Sequence, residues 1–105
     1  MDRSTLHPPD GADSGIVVTD NPAADRYEAT VDGELAVAVY RRHAGTITFT
    51  HTGVPPAIEG RGVANALART ALDAARRDGL RVVPLCPFFA AYVRRHPEYD
   101  DLRAP

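Results

Sequence analysis

Residues 59 to 64 read Glu59-Gly60-Arg61-Gly62-Val63-Ala64 and run straight into an alanine-rich amphipathic segment. The first turn of a helix leaves backbone N–H groups unpaired and carries the positive end of the helix dipole, so it attracts anions, phosphate above all. Gly60 and Gly62 have no side chain to block the approach of a phosphate. Arg61 between them adds a fixed positive charge and a guanidinium fork matched to phosphate oxygens. Read alone, the hexapeptide serves equally as an ordinary glycine-rich helix entry.

The elements that would position this loop can be read from residue spacing. Ile16 to Thr19 is a weak strand or lead-in, and Asp20-Asn21-Pro22 turns the chain into a short alternating segment, Arg26 to Val31. Asp32-Gly33 is a two-residue hairpin signal. The next arm, Glu34 to Arg41, places Leu35, Val37 and Val39 on one face and Ala36, Ala38 and Tyr40 on the other. After a turn at His43-Ala44-Gly45, strict alternation over Thr46 to Thr52 puts Ile47, Phe49 and His51 on one face and threonines on the other.

From about Arg61 to Arg77 the period changes to that of a helix, with Arg61, Asn65, Arg69, Asp73 and Arg77 as a polar stripe opposite Val63, Leu67, Ala71 and Ala74. Alanines 64, 68, 71 and 75 allow close packing on a sheet, and Asp78-Gly79 ends the helix. Arg81 to Leu85 is then a buried strand, parallel to the one before the helix because a helical crossover joins them. Pro87 breaks it, and Phe88 to His96 reads as a short helix ending at Pro97. The expected fold is α/β, with a mixed antiparallel and parallel central sheet, a long helix after the glycine loop and a short C-terminal helix.

The chain has 105 residues, 44% apolar and 25% charged, which suits one domain with a modest core. Residues 1–15, rich in Pro, Asp, Ser and Gly, read as a disordered tail without a signal-peptide pattern, leaving 16–105 as the domain. A net charge of -2 argues against a general nucleic-acid binder, yet the halves differ: residues 1–60 carry 4 Arg and 9 acids, residues 61–105 carry 8 Arg and 5 acids. The half with the candidate phosphate loop is the basic one. All 12 basic residues are arginine, which with the abundant alanine points to a GC-rich, bacterial-type coding bias. Cys86 is the single cysteine, so no internal disulfide forms and a reducing cytoplasm is the expected compartment. No apolar stretch is long enough to span a membrane. His7, His43 and His96 lack partners at metal-ligand spacing, and no metal is expected.

An antiparallel meander, a glycine-rich helix start, a parallel strand and a last helix, in that order, resembles the GNAT superfamily of acetyl-CoA-dependent N-acetyltransferases. That superfamily's pyrophosphate loop has the form Gln/Arg-x-x-Gly-x-Gly/Ala, met here by Glu59 to Ala64 with Glu in the first place. The chain resembles more closely the minimal, stand-alone members of about a hundred residues. The resemblance is carried by His51-Thr52-Gly53-Val54-Pro55, Pro84-Leu85-Cys86-Pro87-Phe88 and Arg95-His96-Pro97-Glu98-Tyr99, and covers roughly residues 16 to 102.

The resemblance implies acetyl-CoA as cosubstrate and acetyl transfer to an amine, on a small molecule or peptide, by a monomer or weak dimer. The cosubstrate would meet Thr52, Val54, Glu59, Gly60, Arg61, Gly62, Val63, Ala64, Pro87 and Phe88. A backbone N–H near Thr52 to Val54 would stabilise the negative charge developing on the thioester oxygen. Cys86 lies at the C-terminal end of a parallel strand, where ligands of open sheets gather, so His51 and Cys86 are expected to share one cleft. There Cys86 would accept the acetyl group or protonate the departing thiolate, and His51 would be the base for Cys86 or the incoming amine. Tyr92 is a rival proton donor. Outside that context, Cys86 reads as a small buried hydrophobe, His51 as a satisfied strand polar residue and Tyr92 as a core aromatic beside Phe88 and Phe89. Two other classes of function stay open: a CoA-binding regulatory module without turnover, and a redox-sensing thiol protein.

Overall fold

A computed structural model describes residues 15–105, so all but the last residue of the expected tail, and His7 with it, lie outside the described residues. The sheet has five strands in sequence order: β1 (Thr19–Asn21), β2 (Arg26–Val31), β3 (Glu34–His43), β4 (Thr46–Gly53) and β5 (Arg81–Pro84). The first four pair antiparallel; β5 pairs parallel to β4, as the helical crossover requires. Helix α1 (Val63–Arg77) makes that crossover and α2 (Pro87–Arg95) follows β5. The α/β fold expected from the sequence is the one observed.

Turn chemistry sets the hairpins. Asp32 and Gly33 both take positive φ, 51° and 78°, and Ala44 and Gly45 do the same at 50° and 82°. These are two-residue turns whose twist matches that of the flanking strands. The second is tighter than expected, because His43 already pairs with Thr46. At the start of the chain the expected order is corrected. Asp20 and Asn21 belong to β1, and the turn comes later, in a short 3-10 segment at Pro22–Ala24 closed by Asp25 at φ 54°.

Register places the core on one face. Tyr27 opposes Ala38, Ala29 opposes Ala36, Tyr40 opposes Phe49 and Ile47 lies beside Val82, and all eight are buried. Phe49 stacks on Phe89 of α2 with centroids 4.2 Å apart and planes at 9°. Helix α1 buries Leu67 and Leu72 completely, with Ala66, Ala68, Ala71, Ala74 and Ala75 around them. The alanines let the helix axis sit close to the sheet, and each buried leucine contributes about 1.5–3 kcal/mol. On the other face Val37 and Val39 are half-buried and Leu35 is exposed, so the sheet has a helical layer on one side only among the described residues.

The segment after α2 locks the layer down. Tyr99 Oη donates to Asp73 of α1 at 2.7 Å, and the Arg76 guanidinium donates to both Asp101 carboxylate oxygens at 2.9 and 3.0 Å. The chain then returns to the sheet, where Arg103 bridges Val82 and the Ala104 N–H donates to the Val82 carbonyl at 2.9 Å, covering the outer edge of β5.

Candidate active site

The sheet opens between β4 and β5. Their pairing ends at Phe49 and Pro84, whereas β4 stays paired to β3 as far as Gly53. At this opening lies a cleft of about 580 Å³. One wall is Thr52, Gly53 and Val54 at the end of β4, and Phe88 of α2 also lines it. Glu59, Gly60, Gly62, Val63, Ala64 and Asn65 form the rest, with Ile58 buried beneath.

Both loop glycines are left-handed, Gly60 at φ 79° and Gly62 at 81°, a conformation that costs a Cβ-bearing residue about 1–2 kcal/mol. Gly62 is the N-cap of α1 and supplies no side-chain cap. The first-turn N–H groups therefore lack the partner that Ser, Thr or Asp would give, and residues 62 to 65 line the cleft. An uncapped helix start beside a cleft is the arrangement that suits an anion.

Two residues expected against the cosubstrate lie elsewhere. Arg61 turns its side chain out of the cleft, and its Nη1 pairs with Asp32 Oδ2 at 2.6 Å. Pro87 occupies the first turn of α2, where a missing N–H and fixed φ favour it, and does not line the cleft. Gly53, Ile58 and Asn65 join the lining although their sequence context marks them only as strand end, spacer and polar helix face.

The expectation that His51 and Cys86 share one cleft is corrected by a β-bulge. Val39 pairs with His51 and Tyr40 with Phe49, so Thr50 is an extra residue that reverses the alternation of β4. Beyond it, His51 joins Val37 and Val39 on the open face; a Cβ added at Gly53 would lie 3.2 Å from the His51 Nε2. Thr52, opposite buried Ala38, takes the inward position instead. Its Oγ1 lies 3.3 Å from Cys86 Sγ. Cys86 is the N-cap of α2, only 4% exposed, with its N–H donating to the Phe49 carbonyl at 2.8 Å. The thiol thus meets the cleft through Thr52.

Tyr92 is 2% exposed; its ring stacks on His96 at 4.0 Å and packs 6.1 Å from Phe88 and 6.3 Å from Tyr99. It does not line the cleft. No cluster of three or more His, Cys, Asp or Glu able to hold a metal occurs among the described residues, and none of their helices is long and apolar enough to cross a membrane.

The sheet that parts at β4 and β5, with a glycine-entered helix at the opening, defines a GNAT-like α/β fold. The chain belongs to the GCN5-related N-acetyltransferase family, whose model matches residues 26–102. It is 36% identical to Protein NATD1 of Xenopus tropicalis over 52 residues, covering 50% of this chain and 48% of that protein. To Protein NATD1 of Homo sapiens it is 37% identical over 51 residues, covering 49% of this chain and 45% of that one. The aligned stretch thus spans about half the length of the curated relatives it matches. The solution structure of a GCN5-like protein from Staphylococcus aureus has the same fold, with a TM-score of 0.67 and 23% identity, covering 87% of this chain and 90% of that one.

Proposed function

We propose that the cleft binds acetyl-CoA and that the chain transfers the acetyl group to an amine. One observation carries the reading: the end of β4, open on its β5 side, and the uncapped start of α1 face the same cleft. The first offers backbone hydrogen bonds to an extended amide-bearing arm, the second a seat for its pyrophosphate. Phe88 supplies an apolar wall. Glu59 serves through its backbone, with the carboxylate left to solvent. Acetyl-CoA, when bound, supplies the activated acyl group.

The residues divide by face. A backbone N–H between Thr52 and Val54 stabilises charge on the thioester oxygen. His51, on the open face, takes the proton of an amine arriving from that side. Cys86, through the Thr52 hydroxyl, gives a proton to the departing sulfur; its burial behind Thr52 favours this role over that of an acetyl carrier. Tyr92 is the alternative donor; neither side chain lines the cleft itself, but Cys86 touches Thr52, which does, and that contact favours Cys86.

The alternative reading is a CoA-binding module without turnover. It is favoured by the open sheet face, since no second layer shapes an acceptor pocket around His51 among the described residues. Incubation with acetyl-CoA and a panel of amines and basic peptides separates the two. Release of free CoA dependent on an amine supports transfer, and binding without release across the panel supports the module.

A further inference from the structure

Arg61 sits between two glycines that line the cleft, yet its own side chain points the other way, to the tip of the β2–β3 hairpin. We infer that Asp32 competes with the ligand's phosphate for Arg61, so that this hairpin sets the affinity of the cleft; the inference rests on the proposal that the cleft takes the pyrophosphate of acetyl-CoA.

Three observations support it. The pair is short, 2.6 Å, but open to water, with side chains 48% and 70% exposed for Arg61 and Asp32. Such pairs are weak and exchangeable, and a pyrophosphate with more than one negative charge outbids a single carboxylate. The Arg61 backbone lies in the loop itself, so a rotation of the side chain suffices to bring the guanidinium round, and a half-exposed side chain has room to rotate. Finally, the turn does not require the carboxylate. Asp32 takes φ 51° in a turn where asparagine is as well suited, so charge is what aspartate adds there.

Asparagine at position 32 therefore keeps the turn and removes only the competitor. The test is calorimetric titration of the wild type, Asp32→Asn, Arg61→Gln and the double variant with CoA, and with pantetheine as a ligand without phosphate. Asp32→Asn is expected to tighten CoA about 1.5- to 5-fold, the range of an exposed ion pair. The same substitution on the Arg61→Gln background, and either single variant towards pantetheine, should change affinity little. CoA binding by the wild type that Asp32→Asn leaves unchanged or weakens would overturn the inference alone. Equal tightening on both backgrounds would overturn it too, by showing simple repulsion rather than competition for Arg61. No CoA binding by the wild type would overturn the cleft proposal and the inference with it.

Discussion

Thr52 Oγ1 lies 3.3 Å from Cys86 Sγ, joining the inward face of β4 to the N-cap of α2 at the edge of the cleft. The contact exists because the bulge at Thr50 turns Thr52 inward and His51 outward. The proposed proton donor, Cys86 behind Thr52, and the proposed acceptor, His51, thereby stand on opposite sides of one strand end.

Replacing Cys86 with alanine should spare binding and harm transfer. Acetyl-CoA affinity is expected to stay within about twofold, while kcat falls roughly a hundredfold, the lower range for loss of a positioned proton donor. Parallel calorimetry and CoA-release assays check this. Unchanged kcat would move the role to Tyr92 or to solvent.

His51→Ala should behave differently. Because His51 lies on the open face, away from the cleft lining, CoA binding should not change, and kcat/KM for the amine should fall. A weakened CoA affinity with normal amine kinetics would contradict the division by face.

Gly60→Ala separates folding from binding. Space around a Cβ at Gly60 is open in the free protein, so the folding cost is the left-handed φ alone, about 1–2 kcal/mol in a thermal or urea melt. CoA affinity should drop as well, because Gly60 lines the cleft proposed for the ligand. A melt shifted as expected with affinity intact would place the phosphate elsewhere.

Tyrosine ionisation gives a pH prediction. Burial and the hydrogen bond to Asp20 raise the Tyr40 phenol above its ordinary value of 10.0, and burial and the bond to Asp73 do the same for Tyr99. Folded pKa values above the unfolded one mean stability that is full below about pH 10 and lost as pH rises beyond it. Urea melts between pH 8 and 11 should show that loss. Tyr40→Phe should flatten it at a cost of about 1 kcal/mol at neutral pH, from the lost bond to Asp20. A stability flat across this range in the wild type would contradict the buried, neutral phenols.

Much of this frame is legible in the residues because it is local. Asp32-Gly33 specifies its turn within two positions, and the stripe from Val63 to Ala74 specifies α1 and its buried side. The glycine loop likewise declares its two left-handed positions. The bulge is not legible: Thr46 to Thr52 alternates without a break, and only the pairing with β3 shows that Thr50 is surplus. That one residue moved His51 to the far face and brought in Thr52. The pairing of Arg61 with Asp32 links residues distant in sequence and follows from where the hairpin tip lands. The return of Arg103 to Val82 is a single bridge, too short to leave a periodic trace.

The most direct measurement is a calorimetric titration of the full chain with acetyl-CoA. Saturable one-to-one binding is expected, lost or strongly weakened in Gly62→Ala, whose methyl would stand at the uncapped start of α1. No heat of binding up to about millimolar ligand, the upper range of substrate constants for enzymes, would contradict a phosphate-bearing cosubstrate in this cleft.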